Sequence, residues 1–323
     1  MDLFNPQQSL CWGFCLFVIA INKIFEVNIL QKFKTIYKER VQQVNRVLKE
    51  EMSIENNVVC HKLNKAMKYT LFSGGKRVRP FLVMEVADLI GGDENVACKV
   101  GAAIEIIHTY SLIHDDLPDM DDDDYRRGKL TNHKIYGSAM AILAGDGLLT
   151  YSFNLLSKID LESDKLIKII QLISYSAGYR GMIGGQALDI LNESKNISLA
   201  KLKKIHRAKT GALFKSSILA GAYCGEPTER EIKALTNFAK YLGITFQVVD
   251  DILDVTGNAE KMGKRTGRDS DLNKVTYTSL LGVQGARKKA KEYAEEATKS
   301  LSIFTERAEN LCKLVDYILH RQT

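Results

Sequence analysis

The sequence predicts an all-α protein, a single large helical bundle, on three observations. From about Glu26 onward apolar residues recur at intervals of three and four, the period of a helix and not the alternation of a strand. Proline occurs only four times, at Pro6, Pro80, Pro118 and Pro227, while Leu, Ala, Lys, Ile and Glu are abundant, a balance that favours long helices. Val96–Ile113 and Ile205–Cys224 are apolar around most of their circumference, so they belong inside a bundle wrapped by outer helices.

Taken in order, Val41, Val44, Val47 and Leu48 mark one helix, and Ala66, Met67, Thr70 and Leu71 a second that stops at Gly74-Gly75. A third begins near Pro80, because the N–H that proline lacks would be unpaired in a first turn anyway. Val96–Asp116 is long and mostly apolar. Further helices are expected over Ala139–Ser157, Asp164–Gly184, Ala200–Cys224, Glu229–Asp254, Tyr277–Ser300 and Thr305–His320. No Pro/Ser-rich linker or internal repeat interrupts the pattern, so residues 26–323 are expected to form one domain, with residues 1–25 an extension outside it. Within that extension the apolar run Cys11–Ile21 is shorter than the ~20 residues that span a membrane. Its leading MDLFNPQQSL carries no basic residue, whereas a signal peptide begins positively charged. The run reads first as an extension or an upstream start, and second as a weak membrane anchor or targeting segment; no firm membrane association is expected.

Composition is that of a soluble globular chain, 45% hydrophobic and 26% charged. A net charge of +6 points to acidic small partners such as phosphates. Basic and aromatic residues are not interleaved in a stripe, so nucleic acid is not expected as a partner. Apart from Cys11 and Cys15 the six cysteines are widely and irregularly spaced. That pattern carries neither a disulfide framework nor a zinc site and fits a reducing, cytoplasmic compartment.

Negative charge is concentrated in two places. His114–Gly128 reads HDDLPDMDDDDYRRG, and Phe246–Val255 reads FQVVDDILDV. Asp250 and Asp254 are four apart on a helix, so their carboxylates share a face with Cβ atoms ~6 Å apart. Each doublet, Asp115-Asp116 and Asp250-Asp251, ends or interrupts an apolar run, where like charges are costly unless something cationic offsets them. With Asp121 and Asp254 they fit two facing ligand sets for hard divalent cations, and an all-oxygen set favours Mg²⁺ over zinc. A calcium loop aligned on Asp119, Asp121 and Asp123 fails, since Asp124 stands where Gly is required and Leu130 where Glu is required. Asp122–Asp124 read as a supporting or solvated rim.

Basic groups complement the acids. GGKRVRP (Gly74–Pro80) places Lys76 and Arg79 at a helix start after two glycines, where backbone N–H groups and the helix N-terminus favour an anion. It is not a P-loop, because Thr70 stands where Gly is needed and Arg77 where Ser or Thr is needed. Arg126-Arg127, Lys209-Thr210 and Lys264-Arg265 follow other motifs. Together they imply a ligand with diphosphate groups, held partly by Arg and Lys and partly through metal.

In this order GGKRVRP, DDLPDMDDDDYRRG, GGQALD (Gly184–Asp189), KTGAL (Lys209–Leu213) and FQVVDDILD resemble the motifs of the trans-isoprenyl diphosphate synthases, or polyprenyl synthetases, from about Val44 to His320. The four-residue spacer of DDLPDMD is similar to that of bacterial-type farnesyl and plant-type geranylgeranyl synthases. The resemblance implies an isoprenoid synthase fold with a central cavity, and a homodimer. It implies condensation of isopentenyl diphosphate with dimethylallyl and geranyl diphosphate: the allylic diphosphate ionises, its cation alkylates the double bond of isopentenyl diphosphate and a proton is lost, with several Mg²⁺ ions per site and Mn²⁺ as a substitute. On this resemblance Asp115 and Asp121 bind metal with Asp116 supporting or ligating, and Asp250 does so with Asp251 and Asp254 supporting. Arg126, Lys209, Thr210, Gln247 and Lys264 would hold the allylic diphosphate, with Arg126 and Lys209 stabilising the leaving charge. Lys76, Arg79, His108 and Arg127 would hold isopentenyl diphosphate.

In DLNKVTYTS (Asp271–Ser279), Asn273 and Thr278 replace the Gly and Pro usual in close relatives, which bears on the geometry of that loop. Tyr110 lies five residues before Asp115, ~7.5 Å down the helix, with Ser111 beside it. A bulky ring at that depth would floor the cavity and suit a C15 product, farnesyl diphosphate. The alternatives are a C20 synthase, which differs in that floor, a terpene cyclase, which would lack GGKRVRP, and a non-catalytic subunit of a heteromeric synthase, which would usually lose one aspartate motif.

Overall fold

A computed structural model of the chain describes residues 31–53, 58–257 and 274–321. The apolar run Cys11–Ile21, Lys264 and Asn273 lie outside the described residues. The chain divides into two units, Met1–Arg40 and Val41–Thr323. In the first, the described residues 31–40 are helical.

The second unit opens with helical residues 41–52 (α1). It continues through α2 (His61–Leu71), α3 (Val78–Ile90), α4 (Glu94–Asp115), α5 (Asn132–Tyr136), α6 (Ser138–Ser157), α7 (Ser163–Ala177), α8 (Met182–Ile190) and α9 (Leu199–His206). A π-helical turn, Arg207–Gly211, joins α9 to α10 (Ala212–Tyr223). After it come α11 (Glu229–Thr256), α12 (Tyr277–Ser300), a 3₁₀ segment Ser302–Ala308, and α13 (Glu309–His320). The expected all-α bundle is what the chain forms.

The two helices that are apolar all round are the inner ones. α4 buries residues on every side and packs against α3, α6 and α10, while α10 packs against α3, α7 and α11. Asp93 starts α4 by accepting from the Val96 amide at 2.9 Å, an N-cap that satisfies an otherwise orphaned donor. α4 and α6 are each long and apolar enough to cross a membrane, but α4 is 72% buried within the bundle. A second core joins α11 to α12 through Val248, Val249, Ile252, Tyr277, Ala286 and Ala290.

Two local features depart from the sequence reading. The helix expected over Asp164–Gly184 stops at Ala177 and resumes at Met182. The chain folds back so closely there that a Cβ at Gly181 would lie 2.1 Å from the Ser176 carbonyl. The stretch after the first aspartate motif also forms a small antiparallel hairpin, Tyr125–Arg126 with Lys129–Leu130. Its two turn residues, Arg127 (φ 55°) and Gly128 (φ 73°), are both left-handed, as a tight two-residue hairpin turn demands.

Candidate active site

The first aspartate set is made by the way α4 ends. Beyond Asp115 the chain reverses: the amides of Met120 and Asp122 both donate to the Leu117 carbonyl, at 2.9 and 3.0 Å. The Asp121 amide donates to the Asp115 carbonyl at 2.9 Å, which returns Asp121 to the helix end. Pro118, which has no N–H, falls within the reversal. Burial pushes the Asp115 carboxyl above its usual range and nearby Asp121 pushes it further, against the opposing pull of Lys209, Arg126 and Lys274.

The hairpin then sends its two arginines to different sites. Arg126, on the strand, donates from Nε to Asp116 Oδ1 at 2.6 Å, with Nη2 at 2.5 Å, and reaches Asp123 at 3.3 Å. Arg127, at the turn, donates to the Gly74 carbonyl and so joins the GGKRVRP loop. The rim pairs locally: Asp124 with Lys134 at 2.6 Å, and Asp123 with Arg126.

In GGKRVRP three basic residues diverge. Arg77 takes a left-handed φ of 54° and turns inward. It donates to Glu105 at 2.7 Å, to the Leu71 carbonyl at 2.6 Å and to Asn45 at 3.1 Å. Lys76 and Arg79, on either side of it in the sequence, both lie in the field of Asp250. Burial, with Arg321 nearby, lowers Lys76 to about 8 although Asp250 opposes this. Burial lowers Arg79 to about 10, and its guanidinium lies 4.8 Å from the centroid of the Phe214 ring, a cation–π contact. His108, on α4 two turns before Asp115, is held neutral by burial and by Arg79, Arg127, Arg126 and Arg77 around it.

The second set is carried by α11. Asp250 pairs with Arg321, whose guanidinium also covers the Phe246 ring at 4.1 Å. Asp251 is buried and accepts from the Tyr277 amide at 2.8 Å and from Gln247 at 3.4 Å. Gln247 in turn accepts from Thr210 at 2.8 Å, which ties α11 to the π-helical turn carrying Lys209. Asp254 is buried one turn further on. Lys209 pairs with Asp189 at 2.7 Å and also feels Asp115. Burial lowers His206 to about 4, in the field of Asp189, Lys209 and Asp250. π-Helical turns are uncommon and concentrate at functional sites. This one is packed closely enough that a Cβ at Gly185, in GGQALD, would fall 2.1 Å from the Lys209 amide nitrogen. Gly185→Ala is therefore expected to displace Lys209 and cut turnover at least tenfold, read by steady-state kinetics alongside an unchanged circular-dichroism helix signal.

Among the described residues no three His, Cys, Asp or Glu side chains converge on one metal position. Cations hold the carboxylates instead: Lys274 on Asp121 at 3.1 Å, Arg321 on Asp250 and Arg126 on Asp116. The Asp115 carboxylate takes no side-chain hydrogen bond or ion pair among the described residues, though Lys209, Arg126 and Lys274 pull on it. A partly buried, all-oxygen set whose Asp115 carboxylate has no direct partner fits a hard divalent cation. Below it, Tyr110 is 4% exposed, its ring meets His114 edge-on at 5.7 Å, and its hydroxyl has no hydrogen-bond partner. Ser111, partly buried, donates to the His108 carbonyl at 3.0 Å.

Residues 60–315 match the family model described as polyprenyl synthetase. The chain belongs to the polyprenyl synthetase family. It is 49% identical over 243 residues to a farnesyl diphosphate synthase of Geobacillus stearothermophilus, covering 74% of this chain and 82% of that one. It is 43% identical to a chloroplastic geranylgeranyl pyrophosphate synthase of Capsicum annuum, covering 90% of this chain and 79% of that one. Among solved structures, a geranyltransferase from Helicobacter pylori complexed with magnesium and isoprenyl diphosphate superposes with a TM-score of 0.78 at 34% identity, covering 88% of this chain and 96% of that one. This member of the family is a prenyltransferase.

Asp189, Lys274 and Arg321 pair with residues expected from sequence although they were not themselves expected, while the inward-turned Arg77 braces the GGKRVRP loop against Glu105. Asp189 closes GGQALD and Lys274 lies in DLNKVTYTS, so the motif strings carried them without indicating their partners. Thr278 is buried in the first turn of α12, with its hydroxyl 2.8 Å from that of Thr276.

Proposed function

We propose that this chain makes farnesyl diphosphate from isopentenyl diphosphate and dimethylallyl or geranyl diphosphate, with Mg²⁺. The observation that carries this reading is the pair of aspartate sets, each met by cations, Lys209 and Lys274 at the first and Arg321 at the second, with Tyr110 buried on the helix that carries the first. Arg126 and Lys209, with Thr210 and Gln247, would orient the allylic diphosphate, and Lys264 would join them. As the allylic C–O bond breaks, Arg126 and Lys209 would face the charge growing on the leaving diphosphate, the kind of preorganised stabilisation that dominates catalysis in a dry site. Bound Mg²⁺ would neutralise the diphosphate oxygens and make them a better leaving group. Lys76, Arg79, His108 and Arg127 would hold isopentenyl diphosphate with its double bond toward the allylic carbon. The new C–C bond takes the double bond's electrons, and a proton is then lost to the released diphosphate. Asp116, Asp251 and Asp254, each buried with partners, would position the metal-facing Asp115, Asp121 and Asp250.

Lys76 must be protonated to hold a diphosphate. With its pKa at about 8, the charge is present below that pH and is lost above it. The KM for isopentenyl diphosphate is therefore expected to rise between pH 8 and 9.5, and Lys76→Arg is expected to flatten that rise in a KM–pH profile.

The C20 reading has the Capsicum relative in its favour, and Tyr110 decides between the two. Wild-type enzyme given dimethylallyl diphosphate and excess isopentenyl diphosphate is expected to stop at C15, whereas Tyr110→Ala is expected to yield C20 as a major product by chromatography of the dephosphorylated prenols. A C20 product from the wild type would overturn the C15 assignment. C15 as the sole product of Tyr110→Ala would show that Tyr110 is not the floor. A homodimer in the cytoplasm belongs to the same reading, supported by the exposed apolar side chains of Ile142 and Leu143 on α6 and Tyr175 on α7.

A further inference from the structure

Tyr110 is held in place by packing and not by a polar tether. Its side chain is buried, and its hydroxyl has no hydrogen-bond partner among the described residues. The orientation of the ring is therefore set by what packs on it. One of those neighbours is aromatic: the His114 imidazole, one turn further along α4, with ring centroids 5.7 Å apart and an interplanar angle of 79°. Residues four apart on a helix share a face, and aromatic pairs favour this edge-to-face arrangement.

His114 is itself fixed from the opposite side, by α6. Its Nε2 lies 3.1 Å from the Ile142 carbonyl oxygen, and because a carbonyl only accepts, Nε2 carries the hydrogen. The exposed Asp146 carboxylate stands 3.8 Å from the same nitrogen. A glycine makes room for the ring: a Cβ at Gly145 would fall 2.1 Å from His114 Nε2 and 2.4 Å from Cδ2. Glycine inside a helix is less favourable than alanine, and here the missing Cβ is what lets an imidazole stand between α4 and α6. Contact thus runs from Gly145 through His114 to Tyr110.

We propose that His114 is a positioning residue for product length: seated against Gly145 and anchored on the Ile142 carbonyl, it holds the Tyr110 ring across the space beneath the first aspartate set, so that elongation ends at C15. The inference rests on Tyr110 being the floor and assigns what keeps that floor in place. Without the imidazole, the Tyr110 ring swings into the volume vacated beside α6, and a chain longer by one five-carbon unit fits.

The test is the C20-to-C15 product ratio from dimethylallyl diphosphate and excess isopentenyl diphosphate with Mg²⁺, compared at equal conversion. A product ratio is read only from folded enzyme that turns over, so a lower melting temperature or a lower rate does not by itself move it. His114 also precedes Asp115, and disturbance of the metal set alone would slow turnover and leave the ratio as it was. His114→Ala is expected to raise the ratio at least tenfold over the wild type. Gly145→Ala, which evicts the ring from α6 without altering α4, is expected to shift it in the same direction and serves if His114→Ala does not fold. His114→Gln, which keeps a donor for the Ile142 carbonyl, is expected to give a smaller rise than His114→Ala. The double variant Tyr110→Ala/His114→Ala is expected to match Tyr110→Ala, because a positioning residue has nothing left to position. If neither His114→Ala nor Gly145→Ala raises the ratio, or if the double variant exceeds Tyr110→Ala by as much as His114→Ala exceeds the wild type, the proposal is overturned. If Tyr110→Ala itself makes only C15, it is the floor assignment beneath the proposal that fails.

Discussion

Asp115→Asn is expected to lower kcat/KM by about 10³-fold while leaving the metal-free protein as stable as the wild type or slightly more so. The two halves of this result have one cause. Burial and the neighbouring Asp121 raise the Asp115 carboxyl above its ordinary range. A carboxylate whose folded pKa is raised opposes folding at neutral pH, and that penalty fades only as pH falls through the raised pKa. The neutral amide removes the penalty and takes with it the charge that would hold the metal. The magnitude follows from single deletions of preorganised electrostatic groups, which cost about 10²–10³ in kcat, with lost metal affinity pushing toward the upper end. Steady-state kinetics at saturating Mg²⁺ and thermal unfolding in chelator check the two halves separately. Such a split is the signature of a site held under electrostatic tension for function.

Arg77→Ala is expected to do the reverse. The Arg77 and Glu105 side chains are each 2% exposed and 2.7 Å apart, and Arg77 also satisfies Asn45 and the Leu71 carbonyl. Removing one partner of such a pair strands a buried charge and costs about 3–5 kcal/mol. At roughly 2 °C per kcal/mol for a chain of this size, the midpoint of thermal unfolding falls by about 6–10 °C. Because Arg77 is the pivot between Lys76 and Arg79, the surviving folded enzyme is also expected to show a higher KM for isopentenyl diphosphate than for the allylic substrate. Glu105→Gln, which keeps a hydrogen-bond acceptor, is expected to cost less than Arg77→Ala in the same melt.

What could be read from the sequence follows the range of each interaction. The inner helices α4 and α10 were legible because all-round apolarity is a local pattern, and the first aspartate set because its reversal needs only residues 115–122. The break between α7 and α8 was not, since nothing local in Gly178–Gly181 says that the chain folds back there, bringing Gly181 against the Ser176 carbonyl where a Cβ would not fit. The hairpin escaped because two-residue strands are too short to alternate. Arg77 sat in plain view in GGKRVRP, yet nothing local distinguishes the cation that turns inward to Glu105 from the two that do not. Lys274 and Asp121 are 153 residues apart, and Arg321 and Asp250 71 apart. Pairings of that kind are made by the bundle and leave no periodic trace.

The central claim is that the two aspartate sets and the basic groups around them serve one metal-assisted prenyl transfer. The most direct measurement is incubation of the purified chain with geranyl and isopentenyl diphosphates, with Mg²⁺ and with excess chelator, followed by analysis of the prenyl products. Farnesyl diphosphate formed with Mg²⁺ and absent under chelator is the predicted result. No condensation product with Mg²⁺, or the same product in equal yield under chelator, would contradict it.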